Sequence, residues 1–162
     1  MEFLFEKVDI EKKEVLENMA EFYQYDFNIY YSDDLNSKGR FGFINTNKYI
    51  DNDKNEAWFI KVENKYAGFV LISSDTYQIK EGKCIEELWI MPKYRNGMFA
   101  IKVIKELFEK LQGKLEFIVM KQNERWLKVL EYIAKKNYKI EVKTDVKRFG
   151  KDFTLFVVDY RS

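Results

Sequence analysis

The sequence predicts an α/β protein built on a mixed, mostly antiparallel sheet of about seven strands, with one β-α-β crossover near its middle. Three observations predict this. Short apolar and β-branched runs at 57–62, 66–73 and 83–91 follow one another with no long helix between them. Two amphipathic patterns at 96–111 and 123–136 then bracket the apolar run 115–120, which is the arrangement of a crossover. Fourteen Phe, eleven Tyr and three Trp in 162 residues supply the bulky side chains of one ordinary core, so a single domain over 1–162 is expected.

Each element has its own signal. Glu2–Val8 reads as a short strand, and Ile10–Phe27 as a helix with Asp9 as its N-cap. Val15, Leu16, Met19, Ala20, Tyr23 and Phe27 recur at helical spacing. Residues 32–56 are rich in Ser, Asp, Asn and Gly and read as a loop with room for a short helix. Phe41, Phe43 and Ile44 within it are expected to pack back on the body. Glu63-Asn64-Lys65 marks a tight hairpin, with Asn64 suited to positive φ. Phe99, Val103, Ile104, Leu107, Phe108 and Leu111 form one buried helical stripe, and Gly113 stops that helix. Trp126, Leu127, Leu130 and Ile133 form the stripe of the next. Tyr138, Ile140, Val142, Thr144 and Val146 alternate with polar residues, the pattern of a half-buried strand. A turn at Gly150 leads to a last strand, Phe153–Tyr160.

Composition excludes much chemistry. With no His there is no Ser-His-Asp triad, no Cys-His pair and no imidazole acid or base. One Cys allows neither an internal disulfide nor a multi-Cys metal cluster, so no metal is expected. Proton transfer is left to Glu, Asp, Tyr, Lys, Cys or water. A net charge of +1 argues against nucleic acid as a partner. No stretch approaches the ~20 apolar residues of a membrane span, and the start carries acids rather than a long apolar run. A cytoplasmic protein without a membrane partner is expected.

The informative segment is CIEELWIMPKYRNGMFA, Cys84 to Ala100. A strand ends at Pro92, a short basic turn containing Gly97 follows, and a helix opens. The first amides of a helix lack intrahelical partners and carry the positive end of its dipole. Such a turn can cradle a pyrophosphate, with Lys93 and Arg95 adding charge. An ordinary strand-to-helix connection has the same outline.

Set between a hairpin and a helix-strand-Asn-helix sequence, ELWIMPKYRNGMFA resembles the central motif of the GNAT (Gcn5-related N-acetyltransferase) superfamily. GKLEFIVMKQNERW looks like the family's next strand and Asn-led helix, and FYQYDFNIYYSDDLNSKGRF and ENKYAGFVLI resemble a little-characterised bacterial subgroup. The resemblance covers roughly residues 3–138. It implies a GNAT fold with helices on both faces of the sheet, and transfer of an acetyl group from acetyl-CoA to a primary amine by direct attack. Ile90 and Met91 would meet the thioester end of acetyl-CoA. Arg95, Asn96, Gly97, Met98, Phe99 and Ala100 would hold its pyrophosphate, and Asn123 would contact the pantetheine or simply cap its helix. Homodimers are common in the family, so monomer and homodimer are both open.

The motif is imperfect. Where the family carries its first Gly stands Met98, with Gly97 one position early. Where many members carry an acidic Tyr stands Leu130, and Tyr132 lies about 200° round the helix from it. These departures leave open a non-catalytic acyl-CoA-binding or interaction module that retains the fold. Glu86 and Glu87 occupy the positions of the family's strand carboxylates, but alternation sends them to opposite faces. By position in the motif, Glu86 is expected as base and Glu87 as part of the acceptor site. Cys84 reads as a buried core thiol. For the acceptor, a small-molecule or peptide amine, the fold points to the first helix and the loop after it, with Tyr25, Asp26, Tyr30, Tyr31, Asp33 and Asp34.

Overall fold

The computed structural model describes residues 1–50, 52–136, 139–148 and 150–160. Tyr138 lies outside them, as do the side chains of Thr144 and Asp145. In chain order the elements are β1 (Leu4–Lys7), α1 (Lys13–Tyr31), α2 (Asn47–Ile50), β2 (Glu56–Val62), β3 (Lys65–Ser73) and β4 (Lys83–Ile90). Then follow α3 (Gly97–Leu111), β5 (Gly113–Met120), α4 (Glu124–Ala134), β6 (Lys139–Arg148) and β7 (Lys151–Tyr160). The strands form a seven-stranded sheet ordered β1-β2-β3-β4-β5-β7-β6. β4 and β5 are parallel, while β1-β2, β2-β3, β5-β7 and β6-β7 are antiparallel. By its contacts the chain divides into two compact units, Met1–Ile72 with Glu87–Met91, and Ser73–Glu86 with Pro92–Ser162.

In the first unit the β2-β3 turn is tighter than expected. Lys65 already pairs with Val62, so only Glu63 and Asn64 turn, with φ of 50° and 60°. Positive φ at both positions matches the right-handed strand twist. α1 begins after a short 3-10 turn at Ile10–Lys12, where Asp9 accepts the Lys12 amide at 3.1 Å. It runs four residues past the expected Phe27, because Asn28 exchanges two hydrogen bonds with Asp33 and closes the helix end. Leu16, Met19, Ala20 and Tyr23 of α1 pack on Ala57, Phe59, Phe69, Leu71 and Trp89. Each large side chain buried there contributes about 1.5–3 kcal/mol. The loop after α1 packs back through its backbone: Glu21 accepts the amides of Phe41 and Gly42, and Gln24 that of Phe43. Ile44 joins the core as expected, but Phe43 is 62% exposed.

In the second unit the start of β4, Lys83–Ile85, pairs with Leu115–Phe117 of β5. Phe99, Val103, Ile104, Leu107 and Phe108 of α3 are buried. Cys84 is a fully buried free thiol. β6 is the edge of the sheet, so its apolar face is only partly covered and Val142 is 42% exposed. β5 is less purely apolar than its sequence implies. Glu116 is fully buried and accepts the amides of Tyr77, Gln78 and Ile79 at 2.6–2.7 Å. Three charge-assisted bonds to one carboxylate fasten the loop before β4.

Candidate functional site

The C-terminal half of β4 and α1 meet in the first unit. Glu87 and Trp89 share strand parity, and both reach α1. The Tyr23 hydroxyl donates to Glu87 Oε2. The Trp89 indole N–H donates to Asp26 Oδ2 at 2.8 Å. The rings of Phe27 and Phe69 lie 5.1 and 5.9 Å from that of Tyr23, and Trp89 stands 5.8 Å from Phe69. Burial first, and then the charge of Glu87, push the Tyr23 phenol well above the ordinary tyrosine value of 10.0. It therefore stays a neutral donor at physiological pH. Trp89 and Ile90 are buried. The end of β4 also lies tight against β3: Met91 N–H donates to the Ala67 carbonyl at 2.7 Å, and a Cβ on Gly68 would run into the Trp89 carbonyl oxygen. Glycine there lets the two backbones approach.

Of the expected acceptor residues, Asp26 is drawn into this cluster, and the rings of Tyr30 and Tyr31 lie 5.3 and 6.0 Å from Phe27. Tyr25 is 72% exposed, and Asp33 and Asp34 lie on the exposed loop. Glu86, half-buried, has the parity of Cys84 and Ile90, opposite to Glu87.

The turn before α3 lies in the second unit and is bonded largely within itself. Pro92–Tyr94 forms a 3-10 turn. Arg95 N–H donates to the Pro92 carbonyl at 3.1 Å, Asn96 N–H to that of Tyr94 at 3.0 Å, and Ala100 N–H to that of Asn96 at 3.2 Å. The Asn96 side chain caps α3 by accepting Phe99 N–H at 2.8 Å. The Phe99 amide is thus already taken by a side-chain oxygen. Phe99 is buried and Met98 is 73% exposed.

Asn123 caps α4, accepting Trp126 N–H at 3.4 Å, and is buried. Leu130 is 1% exposed and Tyr132 is 44% exposed, so the place of the family's acidic Tyr is core. Arg125, in the first turn of α4, crosses to the preceding turn and donates to the Arg95 carbonyl at 3.0 Å. Lys93 and Arg95 thus belong to the turn and Arg125 bonds to it, all cations of the kind that suit an anion at a helix start. Sequence reading missed Arg125 and Tyr23. A signal existed for each, since a cation in the first turn opposes the helix dipole and a core tyrosine hydroxyl needs a partner.

An open cleft of about 1080 Å³ elsewhere in the second unit is lined by Lys80, Lys114 and Lys139 together with Glu81, Glu141 and Asp159. No expected site residue lines it. It lies by the first residues of β5, whereas the motif turn follows the last residues of β4. Among the described residues no three His, Cys, Asp or Glu side chains are grouped to hold a metal ion, and no helix is long and apolar enough to cross a membrane.

This strand order, with a parallel β4-β5 pair and α3 between them, is the GNAT fold. Solved structures with the same fold include a GNAT-family acetyltransferase from Bacillus cereus, with 12% identity, TM-score 0.62, and 99% of this chain and 100% of that one covered. A spermidine N-acetyltransferase from Vibrio cholerae, solved with CoA and spermine, matches at 13% identity and TM-score 0.66, covering 97% of this chain and 95% of that one. An aminoglycoside N(6′)-acetyltransferase from Legionella pneumophila matches at 13% identity and TM-score 0.67, covering 98% and 92%. No protein-family model matches the sequence, and no curated protein matches it.

Proposed function

We propose that the chain is an N-acetyltransferase that moves an acetyl group from acetyl-CoA to a primary amine by direct attack, working as one domain. The observation that carries this reading is the basic turn opening α3, with Arg95 and Arg125 together on it, in a chain of GNAT fold. Acetyl-CoA supplies the activated acetyl group. In this reading Lys93, Arg95 and Arg125 neutralise its pyrophosphate. The turn from Asn96 through Gly97, Met98, Phe99 and Ala100 presents the positive end of the helix. A phosphate oxygen takes over Phe99 N–H from the Asn96 side chain. Ile90 and Met91 present backbone groups to the thioester arm, and Asn123 orients the start of α4 beside the pantetheine. Most alkyl amines arrive protonated near pH 7, and Glu86 accepts that proton. Glu87 contributes to the site of the acceptor, a small molecule or a peptide. With Leu130 in the core, the CoA thiolate leaves without a tyrosine acid at that position. The protein works in the cytoplasm without a metal, as a monomer or homodimer.

Met98 and Leu130 favour the second reading, a module that binds acyl-CoA without turnover. One experiment separates the two: calorimetric titration with acetyl-CoA, followed by CoA release with a panel of amines. Binding with amine-dependent release is expected. Binding without release supports the module, and no binding at millimolar acetyl-CoA eliminates both.

A further inference from the structure

We propose that Tyr23 is a positioning residue: its hydroxyl, donating to Glu87, fixes that carboxylate as the anion on which a positively charged amine acceptor docks. The proposal rests on the amine-acetylating reading and assigns part of its acceptor specificity to α1. Three features of the first unit support it. A tyrosine hydroxyl in a core needs a partner, and Tyr23, 8% exposed, takes a carboxylate on β4 rather than a backbone carbonyl of its own helix. The surroundings of the pair are aromatic: Phe27 and Phe69 flank Tyr23, and Trp89 stands beside Phe69. Ring faces attract a cation that has shed water. The neighbouring carboxylate, Asp26, is also tied by an N–H donor from β4, the Trp89 indole.

Tyr23 faces Glu87 on β4, Tyr31 on its own helix and Tyr49 on α2, while β3 contributes apolar Phe69 and Leu71. Lys48 Nζ lies 5.5 Å from the centre of the Tyr49 ring. The phenol keeps its proton, so it donates and Glu87 accepts. A charge-assisted bond of this kind aims a carboxylate as well as stabilising it. Tyr23 would thus act on acceptor capture through Glu87, and Glu86 would keep the proton transfer.

The test uses Tyr23→Phe, which keeps the ring packing, Glu87→Gln, which keeps the shape, and the double variant. Binding of 1,4-diaminobutane and of spermidine is measured by calorimetry on the full chain, with uncharged 1,4-butanediol as comparator. Each single variant is expected to weaken amine binding about tenfold, as loss of a charge-assisted contact does. The double variant should be no weaker than Glu87→Gln alone, because Tyr23 acts only through that carboxylate. In turnover, KM for the amine should rise by more than kcat falls. Wild-type protein that binds neither amine, or binds the diol as well, overturns the proposal. So does an additive double variant, or a Tyr23→Phe loss confined to kcat. Acetyl-CoA titration is run separately: its failure removes the acetyltransferase reading, while the amine titrations still decide the role of Tyr23.

Discussion

The α1-β4 contact and the turn before α3 are built by opposite means. In the turn, the bonds from Arg95, Asn96, Phe99 and Ala100 all end within five residues of their donors. At the α1-β4 contact, Tyr23 and Glu87 stand 64 residues apart and Asp26 and Trp89 stand 63 apart. The first is a local structure that its own sequence writes. The second exists only once the helix has docked. A local turn with a polar cap is suited to exchanging its capping oxygen for that of a ligand. A pair of partly buried cross-element bonds is suited to holding side chains still.

Four tests sharpen this contrast. The largest effect is expected for Glu86→Gln, which removes a base without changing shape. Turnover should fall by roughly 10²–10⁴-fold while acetyl-CoA affinity stays near wild type. Steady-state kinetics with calorimetry checks this. If turnover instead survives Glu86→Gln and collapses with Glu87→Gln, the two carboxylates exchange roles.

Next come the cations of the turn. Arg95→Ala and Arg125→Ala should each weaken CoA binding by about 1–3 kcal/mol, because each removes a charge near phosphate. The loss should shrink as salt rises. Affinity that does not move in either variant would mean that the turn is a plain strand-to-helix connection.

The pH dependence of Tyr23 is of intermediate size. A phenol whose ionisation is raised in the folded state holds its proton after the unfolded chain has released it. Its contribution is complete below pH 10.0, the ordinary tyrosine value, and is lost as pH rises above that toward the folded value. Stability should therefore fall by up to about 1.4 kcal/mol per pH unit in that window. Tyr23→Phe should flatten this slope in denaturant melts between pH 9 and 11, and an unchanged slope would count against a protonated, buried phenol.

The smallest effect is expected at the helix cap. Asn96→Ala removes the acceptor of Phe99 N–H and should cost about 1 kcal/mol of stability. Acetyl-CoA binding should hold or improve, since the amide is then open to phosphate. A thermal melt and a titration read the two quantities separately, and a variant that melts normally yet binds worse would make Asn96 a direct ligand.

Much of the fold was legible because it rests on periodicity. The stripe of Phe99, Val103, Ile104, Leu107 and Phe108 is buried as its spacing predicts, and Cys84 is the core thiol its strand position implies. The errors fall where pairing or exposure depends on distant chain. Val142 alternates as a half-buried strand residue should, but its strand is an edge. Phe43 looks like a core residue, but its loop is held by amides bonded to Glu21 and Gln24. Glu116 interrupts an apolar run, and nothing local announces the loop it fastens.

By itself the sequence determined the order of elements, the turn that opens α3, the cap at Asp9, and the opposed parities of Glu86 and Glu87. These follow from backbone geometry within a few residues, which side-chain type and spacing report directly. Only the tertiary structure decided which carboxylate meets Tyr23, which aspartate meets Trp89 and where Arg125 reaches. A hydrogen bond between elements depends on helix rotation and docking. The packing of many apolar side chains sets those together, and no single residue encodes them.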